Sequence, residues 1–358
     1  MSCVMGFELT LENLKKVYEL LEDEESREIY LNRLNYLVTG RIEFIEKIIS
    51  KYIPNLPLFG RDVIHKFLKE LPQDKKFVLY GAGEWGKEVF PLFKDDPRFI
   101  GFCSGTKEKQ EHGFMGVSVI SPETLFQKKN LTVVVSALSA KQEILELLKY
   151  NGYPTELIFT MDDFEVLTNE EYFGFEYFKY EPNEVFVDAG SYNLATAIDF
   201  RRNCGSVKKV YAFEPDPHNV ELCQENKIKH HFTEAMILPY GVWSEDTTMH
   251  FQSRGTSDSS FEQGGDVSVP VRAIDNVVEK GEPITFIKMD VEGSELEALK
   301  GAQRTIQQYK PKLAICIYHK PQDMTEIPLY IHSLVPEYRF YVRHHSNTSV
   351  STVLYAIV

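Results

Sequence analysis

"EVFVDAGSYNLATA", residues 184–197, decides the fold. Val185, Phe186 and Val187 make a short apolar strand that ends at Asp188, and Gly190 lets the backbone turn with no side chain in the way. An acid at the carboxyl end of a strand sits at the mouth of an open α/β sheet, where ligands bind. The next strand, "KVYAFEPDP" (209–217), ends in Glu214, which is followed by Pro215 and Asp216. A carboxylate there can accept both hydroxyls of an adenosine ribose. The plainer alternative is that Asp188 and Glu214 merely cap the helices that follow.

Working outward, "AMILPYGVW" (235–243), "ITFIKMDVEG" (284–293) and "KLAICIYH" (312–319) read as further strands, with helices near 193–203, 217–227, 294–308 and 327–335. Strands alternating with helices imply a parallel sheet. "YRFYVRHH" and "STVLYAIV" close the chain, joined by "SNTS" (346–349). That connector is too short for a helical crossover, so the last strand is expected to run antiparallel to its neighbour. His344 and His345 have no identifiable partner. Lys288, Asp290 and Glu292 alternate at the exit of one strand and are expected on one side of it. "HFQSRGTSDSSFEQGGDVSV" (250–269) reads as a polar insertion, either an acceptor-binding loop in which Arg254 holds an anion or a solvated hairpin.

Upstream, "FVLYGAGEWGKEVF" (77–90) has the glycine spacing of a dinucleotide turn at Gly81, Gly83 and Gly86. A nicotinamide site also needs an acid at the end of the second strand, and "FIGFCSGTKEK" (99–109) offers Cys103, Ser104 and Gly105 instead. Lys107 and Lys109 there read as a solvated turn or as contacts for a 2′-phosphate. The expected boundaries are a helical region at 1–74, a small Rossmann-like domain at 75–165, an acidic and aromatic connector at 166–183 and the main α/β domain at 184–358. The N-terminal helices suit a cap or a homodimer contact.

The net charge of -14 argues against a nucleic-acid partner, since phosphate neutralisation needs clustered Lys and Arg. Five scattered cysteines fit reduced, buried thiols. "MSCVMGFELTLENLKK" contains no long apolar run, so neither a signal peptide nor membrane insertion is expected, and a cytoplasmic location is.

Together "FVDAGSYNLAT", "VYAFEPDPHNVELCQEN", "VPVRAIDNVV", "FIKMDVEGSELEALKGAQRTI" and "KPKLAICIYHKPQD" resemble the FkbM family of S-adenosylmethionine-dependent methyltransferases, over about half of the chain. The resemblance implies a class I Rossmann-like sheet, mostly parallel with one antiparallel strand. It also implies O-methylation of a hydroxyl on a small molecule, a sugar or a glycan. Asp188 and Gly190, with Ser191, Tyr192 and Asn193, would hold the methionine end of S-adenosylmethionine. Glu214 would hold the ribose beside Asp216, and Gly241, Val242 and Trp243 would edge the adenine. Asp290, in the family's "DVEG" signature, leads as the residue facing the acceptor, with His319 as an alternative base and Glu292 as a third member or a helix cap. A metal set of Asp290, Glu292 and His319 is conceivable, but no ligand spacing requires one, and none is assigned. The family's second glycine is Leu194 here, which predicts a less open turn. Two other readings stay open: an NAD(P)-dependent sugar-nucleotide enzyme using the Gly81–Gly86 loop, and a cofactor-binding module without turnover.

Overall fold

The computed structural model describes residues 9–56, 61–137, 140–160, 167–168, 170–252, 260–261 and 267–358. Two compact units emerge: the chain up to Leu37 with Leu167–Ser346 and Val350–Val358, and Val38–Val166 with Asn347–Ser349. The expected helical block at 1–74 is thus divided. Helix α1 (Leu11–Leu20) and most of α2 (Glu24–Thr39) are counted with the C-terminal sheet, and α3 (Glu43–Tyr52) and α4 (Arg61–Glu70) with the second unit.

The second unit carries β1 (Phe77–Tyr80), α5 (Glu84–Phe93), β2 (Phe99–Cys103), α6 (Lys107–His112), β3 (Val119–Ile120), α7 (Pro122–Lys128), β4 (Thr132–Val135), α8 (Lys141–Tyr150) and β5 (Ile158–Thr160). Its sheet has the order β3-β2-β1-β4-β5, and each pairing is parallel. All four residues of β1 are buried, as a central strand covered on both faces requires. Gly81 has φ +130°, and a Cβ on Gly86 would collide with the Gly81 carbonyl. Lys109 Nζ donates to the Ala82 carbonyl at 2.7 Å, so it ties the turn down from within the unit.

The first unit continues with β6 (Glu184–Ala189), α9 (Ala195–Cys204), β7 (Val207–Phe213), α10 (Pro217–Lys229), β8 (Ala235–Leu238), β9 (Gly241–Val242), β10 (Thr247–Gln252), β11 (Ser260–Phe261), β12 (Val267–Arg272), α11 (Ile274–Val277), β13 (Phe286–Met289), α12 (Glu295–Lys300), α13 (Gln303–Tyr309), β14 (Lys312–Cys316), α14 (Asp323–Leu334), β15 (Arg339–His344) and β16 (Thr352–Ile357). The large sheet has the order β15-β16-β14-β13-β6-β7-β8. This is the class I methyltransferase arrangement expected from the sequence. β16 runs antiparallel to both neighbours, but it lies between β14 and β15 and is not the edge strand. All six of its residues are buried, which demands a partner on each side.

Two elements differ from the sequence reading. The helix expected over 294–308 breaks at Gly301, where a Cβ would collide with the Trp243 carbonyl. "AMILPYGVW" is not one strand: β8 ends at Leu238, and Gly241–Val242 pairs with β12 in a separate four-stranded sheet. Arg254 and most of the polar insertion lie outside the described residues.

The connector packs its aromatic residues onto the large sheet. Phe173 lies edge-on to Phe186 at 5.6 Å, and Phe175 stacks on Tyr355 at 4.4 Å. N-terminal residues fasten the far edge: Ser26 Oγ accepts from Val342 N at 2.9 Å, and the Arg343 guanidinium meets Asp23 and Glu176, each at 2.7 Å. His345, without a partner on the sequence alone, bonds Thr168 at 2.8 Å and Tyr355 at 2.7 Å. His344 likewise bonds Thr352.

Candidate functional site

Four adjacent strands bring the sequence's candidate residues to one edge of the large sheet. β6 ends beside Asp188 and Gly190, β7 before Glu214, β13 before Asp290, and β14 before Tyr318 and His319. Parallel strands of a doubly wound sheet end on the same side, and loops there are free to vary.

Gly190 has φ +80°, and a Cβ at this position would run into the Asp290 carbonyl. The β6 turn therefore lies directly on the β13 exit. Asp188 is buried, accepts from Ser191 Oγ at 2.9 Å and stands 3.3 Å from Lys288 Nζ. Lys288 also donates to the Gly190 carbonyl at 2.7 Å. Burial raises the Asp188 carboxyl above its ordinary range in spite of this lysine. For Lys288, burial opposes the charge, but Asp188 and Asp290 outweigh it and keep the ammonium charged. The pair braces the turn from inside.

Glu214 accepts from Tyr192 N at 2.8 Å and from Asp216 N at 2.9 Å. Its side chain joins the loops that follow β6 and β7. Burial lifts its pKa from the ordinary 4.5 to about 7, against the backbone donors. Asp216 caps α10, accepting from His218 N at 2.9 Å, with Pro217 at the first helical position. Asn193 also plays a local part, its side chain accepting from Ala195 N.

Leu194 takes the position of the family's second glycine with φ +69°, a left-handed conformation that costs a leucine about 1–2 kcal/mol. Its side chain is fully buried in the cluster of Phe186, Ala197 and Phe200. The closure of the turn expected from this leucine is therefore not built by its side chain, which fills the core beneath.

Asp290 is gripped by two tyrosines. Tyr172 donates to Oδ2 at 2.8 Å, and Tyr318 to Oδ1 at 3.4 Å. Burial opposes its charge, but Lys288 and then His319 hold the carboxyl below its ordinary range. The imidazole of His319 sits among three carboxylates. Nδ1 is 2.9 Å from Glu295, and Nε2 is 3.5 Å from Asp290 and 3.6 Å from Glu292. Burial works against protonation there, yet Glu295 and Glu292 push the pKa well above the imidazole range. The surrounding carboxylates thus favour the protonated form of His319.

Several participants escaped the sequence reading. Tyr172 comes from the connector, whose aromatic richness was its one signal, while Tyr318 and Glu295 lie inside motifs already quoted and were given no role there. Trp243 bonds through its backbone N–H to the Arg272 carbonyl at 3.0 Å, within the small-sheet neighbourhood. Among the described residues no helix is long and apolar enough to cross a membrane, and the described cysteines are unpaired.

Residues 185–345 match the model of the Methyltransferase FkbM domain. Over 157 residues, 41% of this chain, the sequence is 31% identical to the hexuronic acid methyltransferase AglP of Haloferax volcanii, and the match spans 62% of that protein. The crystal structure of methyltransferase FkbM from Methylobacillus flagellatus is similar in fold, with a TM-score of 0.50 at 20% identity, covering 87% of this chain and 97% of its own.

Proposed function

We infer that this chain, whose residues 185–345 match the model of the Methyltransferase FkbM domain, transfers a methyl group from S-adenosylmethionine to a hydroxyl of a sugar acid or related glycan unit. The observation that carries this reading is the convergence of the Gly190 turn, Glu214 and Asp290 at the ends of β6, β7 and β13. The hexuronic acid methyltransferase relative supports a sugar-type acceptor.

Each residue has a defined part. The ionised Glu214 accepts the ribose hydroxyls, and the turn from Gly190 to Asn193 receives the methionine end. S-adenosylmethionine bound there would supply an electrophilic methyl group to an acceptor oxygen held in line with its sulfur, leaving as the thioether. The hydroxyl proton leaves toward Asp290, which Tyr172 and Tyr318 hold in one orientation. Lys288 and Asp188 keep the two loops in register and do not touch the reacting atoms.

The rival reading at the Gly81–Gly86 loop is less well supported. Gly81 is accounted for by the close approach of the Ser136 carbonyl just after β4, and Gly86 by that of the Gly81 carbonyl, and β2 ends without an acid. Calorimetric titration with S-adenosylhomocysteine and with NAD separates the two. Tight binding of the first, lost in Glu214→Ala, is expected; binding of NAD alone overturns the reading. Transfer is then read as a mass gain on hexuronate-bearing acceptors.

A further inference from the structure

Beyond the proton transfer proposed for Asp290, the cluster at the exit of β13 and β14 has the make-up of a cation site. One ligand atom each from Asp290, Glu292 and His319 lie within 4.8 Å of one another. Ligands in neighbouring positions of an octahedral magnesium or manganese centre stand about 3 Å apart, given metal–oxygen distances of about 2.1 Å. The observed gaps from Nε2, 3.5 Å to Asp290 and 3.6 Å to Glu292, are too long for good hydrogen bonds and need only a small contraction to enclose an ion.

A second, independent feature points the same way. His319 is nine-tenths buried, and neither of its ring nitrogens makes a well-aligned hydrogen bond. Its Nδ1 faces Glu295 Oε1 at 2.9 Å, and Glu295 is itself fully buried and anchored by Val291 N at 2.9 Å. A carboxylate behind one ring nitrogen, with the other aimed at further ligands, is the support that metal-binding histidines use to fix ring and tautomer. Asp290 has corresponding support from the hydroxyl of Tyr172. The charge balance also favours a cation. Asp290, Glu292 and Glu295 surround the imidazole, and of the nearby lysines Lys288 is shared between Asp188 and Asp290 while Lys320 is turned to the Gly293 carbonyl.

We propose that Asp290, Glu292 and His319 bind one divalent cation of the magnesium–manganese class. Two carboxylates and one imidazole match a hard, oxygen-seeking ion, and three protein donors leave about three octahedral positions open. The ion takes the place of the proton on Nε2, so binding releases that proton to solvent. On the methyl-transfer reading, which this assignment extends, the open positions take the acceptor hydroxyl and an adjacent sugar oxygen. Cation binding makes the hydroxyl proton easier to lose. The preferred acceptor then carries a second oxygen donor next to the methylated one, as a uronate or vicinal diol does.

The test is titration of the metal-stripped full chain with Mn²⁺, followed by the electron paramagnetic resonance signal of the free ion and with no methyl donor present. One ion per chain is expected. Glu292→Gln and His319→Gln should each weaken binding by more than tenfold. Glu295→Gln, which touches no ion, should weaken it about 10- to 100-fold. Wild-type protein that takes up no stoichiometric Mn²⁺, or full affinity retained in both Glu292→Gln and His319→Gln, overturns the site. Circular dichroism identifies any variant that fails to fold, and Glu292, with its side chain 26% exposed, is the position least exposed to that risk. S-adenosylhomocysteine binding is measured on the same samples in a chelator. Its loss with Mn²⁺ uptake intact counts against the methyl-donor reading alone, and the reverse pattern against the cation site alone.

Discussion

Glu214 shows how a single residue couples binding, stability and pH. Burial lifts its folded pKa from 4.5 to about 7, so the folded state holds the proton more tightly than the unfolded chain does. Below pH 4.5 both states are protonated and the stabilising difference is fully present; it is lost as pH rises toward 7. The decline is at most about 3.5 kcal/mol, because each tenfold gain in proton affinity is worth about 1.4 kcal/mol. Ribose hydroxyls donate to the ionised form, so S-adenosylhomocysteine affinity should rise over the same interval while the free protein loses stability. Glu214→Gln should abolish both trends. Thermal melts and calorimetry across that pH range check the pair, and an unchanged pH slope in the variant would sink the assignment.

Leu194 is a second case at this scale, because two forces act on it in opposite directions. Glycine would relieve the left-handed backbone by about 1–2 kcal/mol, but removing a fully buried leucine costs about 3–5 kcal/mol. The core term wins. Leu194→Gly should lower unfolding free energy by roughly 1–4 kcal/mol in denaturant titration while leaving cofactor affinity nearly unchanged. A large loss of affinity with stability intact would show that the side chain does face the ligand.

At the scale of elements, the connector is more than a linker. It carries Phe173, Phe175 and Phe178 onto the sheet and delivers the Tyr172 hydroxyl to Asp290. A hydrogen bond to a charged group is worth about 1.5–3 kcal/mol, so Tyr172→Phe should cut turnover about 10- to 100-fold. The aromatic ring remains, so melting should change little. Equal losses of turnover and stability would reduce Tyr172 to a packing residue.

This element also shows how far sequence patterns reach. β6, β7, β13 and β14 were legible because a strand covered on both faces reads as an unbroken apolar run, and their terminal acids stand beside those runs. The connector has no such period, since its order comes from rings packing on a sheet that forms elsewhere in the chain. The break at Gly301 and the departure of β9 to another sheet were hidden for the same reason: both follow from close approach between Trp243 and Gly301.

At the scale of the whole molecule, the first unit is stitched from both ends of the chain. Arg343 is buried against Asp23, Glu25 and Glu176, and the bond to Asp23 spans 320 residues of sequence. Asp23→Asn removes one charge from this set and should lower the stability of the C-terminal sheet by about 1.5–3 kcal/mol, read as an earlier melt. Unchanged melting would mean that the remaining carboxylates suffice.

The sequence by itself determined the α/β class, the parallel run of strands, the antiparallel last strand and the strand-end positions of Asp188, Glu214 and Asp290, because periodicity and short motifs are local properties. Only the tertiary structure decided that β16 inserts between β14 and β15, that Tyr172 reaches Asp290 across 118 residues, and that the three carboxylates following β13 converge on His319 after β14. Those outcomes depend on strand order and on which loops share a sheet edge. Burial and neighbouring charges then shift each group's pKa, and the carboxylates that raise that of His319 stand on a segment of sequence other than its own.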